Sequence, residues 1–269
     1  MTTRHVLYLS HGSPDLSLTD HPARTFLKEL GGRLPKPSGA LVISAHFETP
    51  GLIVGGARQP ETWHDFHGFP DALYRMRYPA PGMPETAERL VAALAASGIE
   101  AQLDPERALD HGIWSPLSLL WPRANVPLIP ISVPTRTSTP AQLEIAAALG
   151  RWAQQNDFML IGSGAATHNL GDRHFVHDAP DAWARRFHDW VIDIAARGDL
   201  KAMQDWQAAA PNARYAHPTP EHFLPLLMCL GAMEGQPLRA LHESFMYGNL
   251  SMLALGSEDL TQRLDSAAA

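Results

Sequence analysis

Short runs of β-branched and apolar residues, each ending in Gly, Ser or His, alternate along this chain with longer stretches of helical periodicity. An apolar run without polar alternation marks a strand buried on both faces, and the intervening amphipathic segments are the helices that cover it. This alternation predicts an α/β fold: one domain over residues 1–269, with a central, largely parallel or mixed sheet flanked by helices. Strands are expected at 5–10 (HVLYLS), 39–45 (GALVISA), 51–55 (GLIVG), 126–133 (VPLIPISV) and 158–163 (FMLIGS). Helices are expected at about 20–31, 84–97, 140–155, 180–197, 199–207 and 221–233, with a frayed tail after about Leu260. Segment 56–82 has no clean period but carries Trp63, Phe66, Phe69, Tyr74 and Tyr78, so it reads as a long ordered excursion.

In such sheets ligands bind outside the carboxyl ends of the strands, so residues placed there are candidates for function. Three of the 14 histidines follow strands directly: His11 before a Gly-Ser-Pro turn, His46 after LVISA, and His168 in the loop after FMLIGSGAAT. His217, Glu221 and His222 cluster in AHPTPEHF, where Thr219 and Pro220 suggest a helix start, and His111 lies in a turn ahead of a short apolar segment. Neutral imidazole is the commonest protein metal ligand and a base near pH 7, so the strand-end histidines predict a mononuclear metal centre built on His11 and His46. His5, His21, His174, His177, His188 and His242 read as structural, and His64 and His67 as ambiguous.

Composition narrows the chemistry. A formal net charge of -7 with 18% charged residues offers no basic surface, so neither nucleic acid nor an anionic membrane is an expected partner. The apolar run near the N-terminus is shorter than the roughly 7–15 residues of a signal-peptide core, and Phe223–Met233 falls short of the roughly 20 residues of a membrane span. A cytoplasmic protein is expected. The single cysteine, Cys229, lies in an apolar helical run and excludes a multi-cysteine metal site, so nitrogen and oxygen must supply any ligands. Gly162-Ser163-Gly164 lacks the third glycine and acidic partner of a dinucleotide site, and no G-x-S-x-G elbow is present.

SHGSP at 10–14, SAHFE at 44–48, GFPDALYRMRYPAPG at 68–82, LDHGIWSPL at 109–117, GSGAATHNL at 162–170, HPTPEHFLPLL at 217–227 and the closing SFMYGNLSM occur in order. Together they resemble the class III extradiol ring-cleavage dioxygenases, in particular the 4,5-DOPA dioxygenase-like branch. The resemblance implies that His11, His46 and His222 are metal ligands, with Glu221 as the alternative to His222. It implies that His168 is the catalytic base or a fourth ligand, and that His111 and His217 contact substrate, His111 also sharing in catalysis. It further implies Fe(II) as cofactor, with a small DOPA-like catechol and O₂ as substrates. Zinc has no redox chemistry to offer, yet imidazoles bind it readily, so a purified sample is expected to pick it up. The same histidines would serve a zinc hydrolase, and the fold would serve a non-catalytic binding protein. Arg75, Arg77 and Arg214 are candidates for a substrate carboxylate.

Overall fold

The computed structural model describes residues 4–174 and 179–266, so His177 lies outside the described residues. Among the described residues ten strands form: β1 (His5–Ser10), β2 (Gly39–Thr49), β3 (Leu52–Gly55), β4 (Ala101–Asp104), β5 (Leu128–Pro134), β6 (Phe158–Gly164), β7 (Leu238–His242), β8 (Phe245–Met246), β9 (Leu250–Ser251) and β10 (Ala254–Ser257). Eight of them build one mixed sheet in the order β4-β3-β5-β2-β6-β1-β10-β7, and β8 and β9 pair separately as a small ribbon. The central four, β5, β2, β6 and β1, run parallel, whereas β10 is antiparallel to β1 and β3 to β5.

Alternation along the strands divides the core. Val6 and Tyr8 of β1 face one layer, with Leu41 and Ile43 of β2 and the helices Pro84–Ala96, Thr139–Gln155, Ala182–Arg197 and Leu224–Ala232. Leu7 and Leu9 face the other, with Val42, Ile161 and the helices Pro22–Arg33, His111–Leu120 and Glu258–Ser266. Both faces being covered explains why these strands read as continuous apolar runs. The excursion 56–82 is held by backbone pairing of Trp63 and Glu61 with Leu109 and by the Trp114 indole donating to the Trp63 carbonyl.

Several local expectations change. β2 does not stop before His46 but continues to Thr49, with its pairing to β5 broken between Ile43 and Glu48. His111 opens a helix rather than sitting in a turn ahead of one; Gly112 and Pro116 disguise that helix in the sequence. The helix expected at 221–233 begins at Leu224, so Glu221 and His222 precede it. Residues 199–207 split into two short helices, Leu200–Gln204 and Trp206–Ala209. The expected frayed tail is helical to Ser266, with Leu264 buried against the sheet layer. Among the described residues no helix is long and apolar enough to cross a membrane.

Candidate metal centre

β2, β6 and β1 are neighbours in the sheet and parallel, so their carboxyl ends deliver His46, His168 and His11 to one edge of the fold. The register aligns Ser10 with Gly164 and Ser44 with Ser163, and the His11 backbone N–H continues the ladder onto the Gly164 carbonyl at 3.0 Å. β6 separates β1 from β2, yet His46, within the stretch of β2 where the pairing to β5 is broken, brings its Nε2 to 3.2 Å from His11 Nε2.

His222 comes from the segment just ahead of the helix Leu224–Ala232. Its carbonyl accepts from the Ala165 N–H just past β6, which places His222 Nε2 3.3 Å from His46 Nε2. Gly162 and Gly164 make this approach possible, because a Cβ at Gly164 would collide with the His222 carbonyl and one at Gly162 with Pro225 and Cys229. The Gly-Ser-Gly run is therefore a packing device for the His222 segment.

The far side of each ring is tied outward. His222 Nδ1–H donates to Glu221 Oε1 at 2.8 Å, and His111 Nδ1–H donates to Asp65 Oδ1 at 2.9 Å. His11 Nδ1 meets Ser163 Oγ at 3.0 Å, and His46 Nδ1 lies 3.6 Å from Asp65 Oδ2. His168 stacks on His222 with ring centroids 3.5 Å apart, its backbone N–H donating to the Ala216 carbonyl. His111 packs against His46 at 4.0 Å between centroids and edge-on to Phe66 at 5.6 Å.

Burial pushes the pKa of His11 and His222 well below the usual imidazole range, reinforced by the neighbouring imidazoles. The same cause, opposed by Asp65, brings His46 down to about 3, and burial brings His168 to about 4. Burial alone would raise Asp65, but the hydrogen bonds from His111 hold its carboxyl below its ordinary value. These imidazoles are neutral at pH 7, the state that binds a metal.

The donor set fits a cation. Glu221 accepts only, so His222 Nε2 carries a lone pair, and a proton on His46 Nε2 would satisfy one neighbour at most. Ligand bonds of about 2.0–2.1 Å at right to tetrahedral angles put nitrogens about 2.8–3.4 Å apart, which brackets the observed spacings. His11, His46 and His111 also form one cluster whose ligand atoms lie within 4.8 Å of one another, and His168, Glu221 and His222 form another.

Of the other expected residues, His217 neighbours His168 and His222. His217 is buried among Phe187, Trp206 and Phe223, and its Nε2–H donates to the Ala166 carbonyl at 3.0 Å, so its polar contact braces the turn leading to His168. Arg75, Arg77 and Arg214 are exposed, and the Arg77 guanidinium is spent on the Tyr74 and Met76 carbonyls. His21 caps a helix by accepting from the Ala23 N–H, and His188 bonds Ser251 and Glu243, which are structural tasks. Asp65, which is not among the expected site residues, lies between His64 and His67 in WHDFHGF, where a carboxylate amid aromatics in a long loop is its one sequence signal.

Residues 6–256 match the family described as the catalytic LigB subunit of aromatic ring-opening dioxygenase. The chain belongs to this family. It is 37% identical over 268 residues to the 4,5-DOPA dioxygenase extradiol of Escherichia coli (strain K12), covering 94% of each chain. It is 35% identical over 253 residues to the Beta vulgaris protein of the same description, covering 92% of this chain and 94% of that one. A crystal structure of an uncharacterized protein from Escherichia coli K12 superposes with a TM-score of 0.77 at 30% identity, covering 95% of this chain and all of the other. The expected fold and ring-cleavage family both hold. This LigB-family chain is an extradiol ring-cleaving dioxygenase, an oxidoreductase, and its family implies a metal cofactor of the kind the three-histidine cluster suits.

Proposed function

We propose that this dioxygenase uses Fe(II), held by His11, His46 and His222, to open the ring of a small DOPA-like catechol with O₂. The observation that carries the reading is the approach of His11 Nε2 and His222 Nε2 to His46 Nε2, at 3.2 and 3.3 Å, with Glu221 tied to the outer side of His222. That tie supports His222 rather than Glu221 as ligand, the carboxylate orienting the ring and fixing its tautomer. Fe(II) supplies redox chemistry and open coordination positions for catechol and O₂ together, which zinc in the same histidines does not.

His168 is the base. Neutral at pH 7 and stacked on His222, it is placed to take a phenolic proton from a catechol at the centre and to return it later. His111 faces the same space with Nε2 because Asp65 holds its Nδ1–H, and it contacts a substrate hydroxyl or oxygen there. Phe66, packed on His111, offers a flat apolar wall suited to an aromatic ring. The DOPA-like substrate class is supported by the descriptions of the bacterial and plant relatives. Loading the metal-free chain with Fe(II) or Zn(II) under anaerobic conditions, then admitting O₂ with a catechol panel, tests the proposal: turnover belongs to the iron form, and turnover confined to the zinc form contradicts it.

A further inference from the structure

We propose that Ser163, its hydroxyl direction set by Pro116, is the positioning residue that holds His11 in the Nδ1–H tautomer and so leaves Nε2 bare for the metal; this rests on the ligand role given to His11 above. Pro116 lies inside the helix His111–Leu120. A helical residue donates its N–H to the carbonyl four positions back, and proline has no N–H, so the Gly112 carbonyl is left open in a buried stretch. Ser163, on the middle strand β6, donates its hydroxyl hydrogen to that carbonyl. A hydroxyl has one hydrogen and a carbonyl has none to give. Toward His11, 3.0 Å away, Ser163 Oγ is therefore left to accept, and His11 Nδ1 has to be the donor. In a neutral imidazole this puts the lone pair on Nε2, the atom 3.2 Å from His46 Nε2.

The hydrogen bonds of His111 and His222 need no such device. Asp65 and Glu221 are carboxylates, which accept only, so they impose the Nδ1–H tautomer on His111 and His222 unaided. A serine can donate or accept, and unguided it would allow His11 either tautomer. The proline in the helix interior removes that freedom by making Gly112 a permanent claimant for the serine hydrogen.

The test uses the full chain, metal-free, with ¹⁵N-labelled imidazoles read by ¹⁵N–¹H correlation, Zn(II) affinity by chelator competition, and thermal unfolding as a fold control. Wild type shows His11 as Nδ1–H. Ser163→Ala loses the single tautomer and weakens Zn(II) about 10–100-fold. Pro116→Ala returns an N–H to Gly112 and frees the serine hydrogen, so Nε2–H signal appears at His11 and Zn(II) weakens although Ser163 is intact. Ser163→Thr keeps the hydroxyl and the wild-type pattern. If Ser163→Ala does not fold, Pro116→Ala decides alone. Persistence of a pure Nδ1–H tautomer at His11 with unchanged Zn(II) affinity in the folded variants overturns the relay. A wild-type chain that binds no Zn(II) sinks the ligand role instead, and the tautomer spectra still judge the relay.

Discussion

Asp65 Oδ1 accepts two hydrogen bonds from His111, one from its backbone N–H and one from its Nδ1–H, each 2.9 Å long. One loop carboxylate thus sets both the start of a helix and the orientation of the ring that opens it, while its other oxygen faces His46. Asp65→Ala should lower kcat/KM about 10–100-fold, as loss of an orienting carboxylate does at other metal sites. Metal content, measured by elemental analysis, should stay near wild type because the three Nε2 donors remain. Wild-type kinetics in this variant would remove Asp65 from the account.

Gly164→Ala tests the close approach of the His222 segment to β6. A Cβ there meets the His222 carbonyl, which also accepts from Ala165 N–H, so the backbone carrying His222 has to move. Metal affinity should fall at least about 10-fold, since a ligand is held productively only within about 0.5 Å. Equal affinity in a titration against a competing chelator would mean that His222 is not a ligand.

His168→Ala and His222→Ala separate base from ligand. Removing the base should cut turnover about 10²–10⁴-fold while the protein keeps its metal. Removing His222 should empty the site. Elemental analysis of both variants decides, and metal loss in the His168 variant would reassign that residue as a ligand.

Acid should destabilise the metal-free chain in a predictable window. His217 is 4% exposed and burial lowers its pKa from 6.5 to about 3. Between these values the unfolded chain binds more protons than the folded one, so unfolding free energy rises with pH. The stability is complete above pH 6.5 and is lost as pH falls toward 3, at about 1.4 kcal/mol per pH unit for each such histidine. His46 and His168 act in the same direction. A melting temperature that is flat from pH 7 to pH 4 would contradict this.

The central strands and strand-end histidines were legible because a strand buried on both faces leaves an uninterrupted apolar run, and the next polar residue marks its carboxyl end. His46 was legible in place but not in conformation, since the broken pairing between Ile43 and Glu48 depends on β5, far away in sequence. β4, β7 and β10 escaped notice because they are short, and β7 exposes Arg239 and Ala240. The AHPTPEHF cluster marks His222 as a candidate and the resemblance gives it a ligand role, but Asp65 and Ser163 become visible only when the fold brings residues 65 and 111, and 11, 112 and 163, together.

The central claim is that the Nε2 atoms of His11, His46 and His222 hold an iron that opens a catechol ring. The most direct measurement is a single-turnover reaction of the anaerobically Fe(II)-loaded chain with a dihydroxyphenyl substrate and ¹⁸O₂, with the yellow product followed by absorbance and mass spectrometry. The account predicts one O₂ consumed per ring opened and both labelled atoms in the product. No oxygen uptake with any catechol, or a product carrying oxygen from water alone, would contradict it.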